Sequence, residues 1–384
     1  MKKIHVMTVF GTRPEAIKMA PVVLALQQRA AFESTCVVTA QHRQMLDQVL
    51  AIFGIQPDYD LNVMQPKQTL DGLTAKVLTK LAPIMAQVRP DIVLVHGDTT
   101  TTLAAALSAF YHQLPIGHVE AGLRTWQKYS PFPEEMNRQM TDDLADLYFA
   151  PTPATKANLL QEHHQDAHIF VTGNTAIDAL KQTVDPHYHH AVLTQLDVNQ
   201  RMILVTMHRR ENQGEPMRRV FEAMKQVVDA QENVQIVYPV HLNPVVQQAA
   251  RAIFGDDPRI HLIAPLDVVD FHNLAARSYF IMTDSGGVQE EAPALGKPVL
   301  VLRDTTERPE GVKAGTLKLV GTDPNRVKAA MMTLLTDPKA YQAMAQAPNP
   351  YGDGHATERI LQAIQSYFDP TMPPPAEFSV AAKA

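Results

Sequence analysis

Short apolar runs alternate with segments of helical spacing along almost the whole chain, the pattern of a parallel α/β protein. In the first half the runs predict strands over Ile4–Val9, Ser34–Thr39, Ile92–Val95 and Ile116–Val119, then Tyr148–Ala150 and Ile169–Val171. In the second half they predict Met202–Thr206, Gln235–Val240, Ile260–Ile263, Phe280–Met282 and Val299–Leu302. The halves echo each other. Ile4–Val9 and Met202–Thr206 both run into a basic turn, Gly11-Thr12-Arg13 and His208-Arg209-Arg210. Ile92–Val95 and Phe280–Met282 both lead to an aspartate, Asp98 and Asp284. Two similar α/β domains facing each other would put these strand ends, where ligands bind in such sheets, on the two walls of a central cleft.

The domain boundary is expected between Val171 and Arg201, giving domains of residues 1–171 and 172–368, with the terminal helix packing back on the first. The linker contains Asp185-Pro-His-Tyr-His-His190, whose mixed spacing in a polar loop reads as solvated surface and not as a metal site; Glu162-His-His-Gln-Asp-Ala-His168 reads the same way. Asp369-Pro-Thr-Met-Pro-Pro-Pro-Ala-Glu377 cannot continue a helix, so residues 369–384 read as a disordered tail.

Composition narrows the class. Of the 384 residues 45% are hydrophobic and 19% charged, as in a globular protein with large cores. The net charge of −6 argues against nucleic acid or an anionic membrane as partner. No apolar run reaches transmembrane length, and the N-terminus leads straight into a motif, so it reads as a first strand and not a signal peptide. The single Cys36 lies in an apolar run and reads as a buried strand residue, which excludes a disulfide framework. A cytoplasmic location is expected.

The candidate chemistry sits at the strand ends. Asp284-Ser285-Gly286-Gly287 turns a strand into a helix, and its two glycines let backbone N–H groups approach an anion. Glu290 and Glu291, one turn on, could reach the ribose hydroxyls of a nucleotide diphosphate; Arg303, Glu307, Arg308 and Glu310 follow the next strand. An ordinary strand–turn–helix reads equally well from the Ser-Gly-Gly alone. Arg13 and Lys18 begin another helix and suit phosphate, or are plain surface charge. G-x-G-x-x-G is absent, which counts against a tightly held NAD.

Asp98, followed by four threonines, is either a helix N-cap or a catalytic acid, or both. Glu120 ends the following strand and would share its space with Asp98 if the two strands are neighbours. Glu134 starts a further helix; crowded acids of this kind have raised pKa values suited to proton transfer. His208 with Arg209 and Arg210, and His241 at the next strand end, line the second half, and Phe271 is available to a base or to the core.

These segments resemble the non-hydrolysing UDP-N-acetylglucosamine 2-epimerase family. The resemblance runs from Gly11-Thr-Arg-Pro-Glu-Ala-Ile-Lys-Met-Ala-Pro21 to Asn349-Pro-Tyr-Gly-Asp-Gly354, through the long matches Val95-His-Gly-Asp-Thr-Thr-Thr-Thr102 and Leu302-Arg-Asp-Thr-Thr-Glu-Arg-Pro-Glu310. It implies two Rossmann-like domains in the arrangement of B-type glycosyltransferases, and interconversion of UDP-GlcNAc and UDP-ManNAc. It places Arg13, Lys18, Asp98, Glu120, His208, Leu266, Phe271, Ser285, Gly286, Gly287, Glu291 and Arg308 on substrate. It gives catalysis to Asp98, Glu120 and Glu134, with His208 beside them. Leu266 stands where a polar residue is frequent, so a contact there would use the backbone; Met207 replaces a smaller residue. Gln41, His42, Gln44 and His241 match positions of a second, regulatory UDP-GlcNAc site. A homodimer without metal or redox cofactor is implied as well. A hydrolysing epimerase, a glycosyltransferase of the same architecture and a non-catalytic nucleotide-sugar sensor remain the alternatives.

Overall fold

The computed structural model describes residues 2–41, 43–65 and 68–380. The chain forms two compact units: the first holds the residues up to Ala179 and Tyr351–Ser379, the second Leu180–Pro350.

The first unit is built on seven parallel strands: β1 (Ile4–Phe10), β2 (Phe32–Val38), β3 (Tyr59–Asp60), β4 (Ile92–His96), β5 (Ile116–Val119), β6 (Leu147–Ala150) and β7 (Ile169–Val171). Their order is β3-β2-β1-β4-β5-β6-β7. Strands β1, β4 and β5 are covered on both faces, so apolar residues predominate without regular alternation, interrupted by His5, Thr8, His96 and His118. Val6, Phe10 and Leu94 pack on one face with Met19 and Val23; Met7, Val93 and Val95 pack on the other with Val77, Leu81 and Ala105. Cys36 is buried on β2, and that burial pushes its thiol up to about 12.

The second unit has six parallel strands: β8 (Arg201–Thr206), β9 (Val234–Pro239), β10 (Ile260–Ile263), β11 (Phe280–Thr283), β12 (Val299–Val301) and β13 (Leu317–Leu319). Their order, β10-β9-β8-β11-β12-β13, repeats that of the first sheet. The echo between the halves is therefore topological: β8 corresponds to β1, and β11 to β4. In each sheet the strand order reverses between these two, which is where an α/β sheet opens to a ligand.

The crossing between the units lies inside the expected span of Val171 to Arg201, though beyond the domain end at residue 171, and the tail departs from the sequence reading. The chain leaves the first unit inside the helix Thr175–Thr183, not at residue 171, because Ala176, Ile177 and Ala179 are buried there. The change of composition at Asp185 marks a loop already inside the second unit. The chain returns at Tyr351, so the helix Ala356–Phe368 belongs to the first unit, with Ile360, Leu361 and Ile364 in the same core cluster as Met19 and Val23. Residues 369–379, expected as a disordered tail, also lie on that unit. Phe378 is 5% exposed and its N–H donates to the Val171 carbonyl at 2.7 Å, while Arg359 Nε donates to the Ala376 carbonyl at 3.1 Å. The prolines forbid helix but not an extended segment anchored by one aromatic.

Among the described residues no helix is long and apolar enough to cross a membrane, and no group of three or more His, Cys, Asp or Glu could hold a metal ion.

Candidate active site

In the first unit the turns after β1, β4 and β5 converge. Glu15, buried in the helix Arg13–Gln28, ties two of them together. Its Oε2 accepts the N–H groups of Gly11 and Thr12 at 2.9 and 2.7 Å, and its Oε1 accepts the hydroxyls of Thr99 and Thr102 at 2.6 and 3.0 Å. Gly11 has no room for a side chain, since a Cβ would stand 1.9 Å from Thr39 Oγ1. Arg13 and Lys18 are thereby presented at the start of this helix, half-buried.

Asp98 does not cap the helix Thr100–Tyr111. Thr99 does, accepting the Thr102 N–H at 3.1 Å. The Asp98 carboxylate is left to Arg138, 3.1 Å away, and its backbone carbonyl to Asn137 Nδ2 at 2.9 Å. Although 28% of its side chain reaches solvent, dense surroundings dominate its ionisation. Burial pushes its carboxyl up to about 6; Arg138 and Lys18 oppose this, and Glu120 and Glu134 reinforce it.

Glu120 follows β5, the parallel neighbour of β4, with His96 opposite Val119. It holds a left-handed backbone at φ +68°, uncommon for a residue with a side chain, where its N–H and that of Ala121 both donate to Phe149 O. Its carboxylate pairs with Lys18 and accepts Asn174 Nδ2 at 2.9 Å. His96 Nε2 stands 3.8 Å from the same oxygen, and neither nitrogen of this buried ring has a hydrogen-bond partner among the described residues. Burial drives the His96 pKa down to about 4 against the pull of Glu120, so the ring is neutral.

Glu134 and Glu135 are adjacent but differ in employment. Glu135 is fully buried and accepts the N–H groups of Thr125 and Trp126 and the Gln139 amide at 2.9 to 3.1 Å. Glu134, half-buried at the start of the helix Glu134–Leu144, is near enough for its charge to raise the Asp98 pKa.

A buried ion pair lies beneath these acids. His118 Nδ1 is 2.6 Å from Asp142 and its Nε2 is 2.7 Å from the Gly97 carbonyl, so a buried ring braces the turn that carries Asp98. Burial would raise the Asp142 pKa, but His118 and Arg124 outweigh it and hold the carboxyl below its ordinary range.

In the second unit, Asp284 at the end of β11 organises the turn after β8. Its Oδ2 accepts the N–H groups of His208 and Arg209, both at 2.9 Å, and the Asn212 amide at 3.0 Å. His208 Nδ1 lies 3.4 Å from the other oxygen. The His208 ring stacks on His241 with centroids 5.7 Å apart. Met207 is accommodated in the core, with Tyr238 donating to its carbonyl at 2.7 Å.

Ser285 precedes the short helix Gly286–Glu291. The Arg308 guanidinium lies over Gly286, where a Cβ would meet Nη1 at 2.7 Å, and its Nε donates to Glu290 at 2.7 Å. Glu290 is thus committed to Arg308, whereas Glu291 Oε2 lies 3.3 Å from His272. Arg303 is spent on Glu307 at 2.7 and 3.1 Å; burial disfavours that carboxylate, but the Arg303 bonds prevail and hold it at about 2. Leu266 and Phe271 are half-buried against the core on the β11 side.

Of the regulatory candidates, Gln41 accepts the Thr101 hydroxyl at 2.9 Å and Gln44 is exposed, both in the first unit. His241 is exposed in the second unit, and His42 lies outside the described residues. Sequence reasoning missed the working of Glu15, the His118–Asp142 pair, Asn174 and His272. Only Glu15, at the third position after the Thr12 cap, carried a local signal, that of a capping box.

Comparison with known proteins gives one answer. The sequence model of a protein family described as UDP-N-acetylglucosamine 2-epimerase matches residues 24–365. The UDP-N-acetylglucosamine 2-epimerase of Bacillus subtilis is 62% identical over 368 residues, covering 96% of this chain and 97% of its own. A crystal structure from Listeria monocytogenes, provisionally named as the same enzyme, is 58% identical with a TM-score of 0.94, covering 99% of this chain and 100% of that one. The Neisseria meningitidis UDP-GlcNAc 2-epimerase, solved bound to UDP-GlcNAc, is 46% identical with a TM-score of 0.85, covering 94% of this chain and 100% of that one.

Proposed function

The chain belongs to the UDP-N-acetylglucosamine 2-epimerase family, and on that premise we propose that it interconverts UDP-GlcNAc and UDP-ManNAc without hydrolysis. C2 of the sugar is not next to a carbonyl, so removing its proton alone would leave an unstabilised carbanion. Loss of the C2 proton with cleavage of the C1–O bond avoids this. The C–H electron pair becomes the C1=C2 double bond of a 2-acetamidoglucal, and the C–O pair leaves with UDP. Re-addition of UDP at C1, with a proton delivered to the opposite face of C2, gives the epimer. Electrons balance without a redox partner or a metal.

The observation that carries this reading is that burial, reinforced by the charges of Glu120 and Glu134, brings the Asp98 carboxyl to about 6, where a proton is easily taken or given near neutrality. These three acids would handle the two faces of C2. Arg13, Lys18, His208, Arg308 and the Ser285–Gly287 turn would carry the charge of the departing diphosphate, with Glu291 on the ribose, Phe271 on the base and Leu266 contributing backbone. His208, its backbone N–H fixed by Asp284, would be the contribution of the second unit to catalysis.

The test is UDP-GlcNAc in deuterated water followed by NMR. Deuterium at C2 of both UDP-sugars supports the proposal. Free ManNAc with UDP would identify a hydrolysing epimerase, and transfer only with an added acceptor a glycosyltransferase. No reaction at all would leave a sensor.

A regulatory UDP-GlcNAc site formed by Gln41, His42, Gln44 and His241 belongs to the same proposal. The stacking of His241 on His208 favours it, because an occupant at one ring would be felt at the other. Hyperbolic kinetics from pure UDP-ManNAc, unaltered by added UDP-GlcNAc, would refute it. The same reading makes the enzyme a cytoplasmic homodimer supplying ManNAc-type precursors for cell-envelope polysaccharide.

A further inference from the structure

His272 lies on the helix Val268–Arg277 and is 1% exposed. Its Nδ1 is 2.6 Å from the Thr183 hydroxyl and its Nε2 is 3.3 Å from Glu291 Oε2. An ionised carboxylate only accepts, so the Nε2 position carries a proton and donates it to Glu291. The Thr183 hydroxyl, itself 3.1 Å from the Leu180 carbonyl and 6% exposed with its residue, fixes the other edge of the ring. Among the described residues no other side chain bonds to the Glu291 carboxylate. Its second oxygen faces the turn after β11, where a Cβ built on Gly287 would stand 3.9 Å from Oε1. One oxygen is therefore anchored to a buried ring, and the other points at the turn that the proposed function gives to the nucleotide.

A glutamate has three side-chain torsions, and a free carboxylate would be ordered only when ligand arrives. An anchored one is already in place. We propose that His272 is a positioning residue that aims Glu291 at the ribose hydroxyls and thereby sets the preference for a ribonucleotide over a deoxyribonucleotide sugar. The proposal rests on the reading of Glu291 as a ribose contact. It assigns His272 no contact with substrate.

The experiment compares UDP-GlcNAc with its 2′-deoxyribose analogue in the full-length wild type, His272→Asn, His272→Gln and Thr183→Val. The wild type should prefer the ribose form by roughly ten-fold or more in kcat/KM, since the deoxy analogue leaves the second oxygen of a half-buried carboxylate without its hydroxyl partner. His272→Asn should raise KM for UDP-GlcNAc roughly ten-fold with kcat within about three-fold. Its KM for the deoxy analogue should barely move, so that the preference collapses. Gln, whose amide can reach the place of Nε2, should restore most of the preference. Thr183→Val, which keeps shape and removes the hydroxyl, should fall between, and it tests the idea should the Asn variant fail to fold. Equal damage toward both substrates, or a loss confined to kcat, would overturn the proposal while leaving the ribose reading intact. A wild type indifferent to the 2′-hydroxyl would overturn the ribose reading and the proposal together.

Discussion

Arg138 reaches the Asp98 carboxylate at 3.1 Å from a helix whose first residue is Glu134. One helix thus supplies a cation that favours the ionised acid and an anion that favours the protonated one. With burial added, the anion's side prevails and the Asp98 carboxyl stands at about 6. Substituting Arg138→Gln removes the opposing cation, and Asp98 must then hold its proton to higher pH. The ionisation near pH 6 expected in the kcat/KM profile should move upward by about one unit or more. A profile measured from pH 5 to 9 that did not move would take that ionisation away from Asp98.

The same shift has a consequence for stability. A carboxyl whose folded pKa of about 6 exceeds its unfolded value binds its proton more tightly in the native state. Its contribution is fully present below the unfolded value, near pH 4, and is lost as pH rises through 6. Above that range the folded protein carries an unfavourable charge. Asp98→Asn removes the charge and should stabilise the protein at pH 7.5 by on the order of 1–2 kcal/mol, discounted for the solvent-facing part of the side chain. The gain should vanish near pH 4. Denaturant unfolding of both proteins at the two pH values checks the sign; a variant less stable at pH 7.5 would contradict it.

Adjacent Glu134 and Glu135 show where the sequence stopped short. Both begin one helix, and only the fold reveals that Glu135 closes on the Thr125 and Trp126 N–H groups. The cap on the next helix is a similar case, since Asp98 and Thr99 are both good caps by type and Thr99 took the role. The central strands were legible because burial on both faces makes them apolar runs. The edge strands β3 and β13 were not, having two and three residues with no pattern of their own. His118 and Asp142 stand 24 residues apart, and His272 and Glu291 19, so neither pair leaves a local trace. Phe378 was overlooked among prolines because its partner, Val171, lies on a strand some two hundred residues earlier.

Glu120 and Glu135 should respond in opposite ways to the same change. Glu120→Gln removes a group proposed to act at the reacting carbon, so kcat should fall by about 10²–10⁴ while UDP still binds. Glu135→Gln turns an amide toward backbone donors that need an acceptor, and should cost about 1–3 kcal/mol of stability. Its folded fraction should retain far more activity than the Glu120 variant. Calorimetric UDP titration and denaturation on both variants separate the two effects; equal loss of kcat in the folded fractions would erase the distinction.

Gly11 and Gly286 both lack room for a side chain, but for reasons that predict different outcomes. A Cβ on Gly11 would stand 1.9 Å from Thr39 Oγ1 and 2.8 Å from Thr101 Oγ1, two fully buried hydroxyls bonded to each other at 2.9 Å. Neither can retreat without moving β2 or the helix Thr100–Tyr111, so Gly11→Ala should cost about 1–3 kcal/mol. A Cβ on Gly286 meets the far end of Arg308, which can swing aside by giving up its bond to Glu290. Gly286→Ala should therefore lose less than about 1 kcal/mol, yet raise KM for the nucleotide sugar roughly ten-fold, because the displaced guanidinium is the one proposed to meet the diphosphate. Unfolding curves and steady-state kinetics on the two variants decide the matter. A Gly286 variant with unchanged KM would mean that Arg308 serves Glu290 alone.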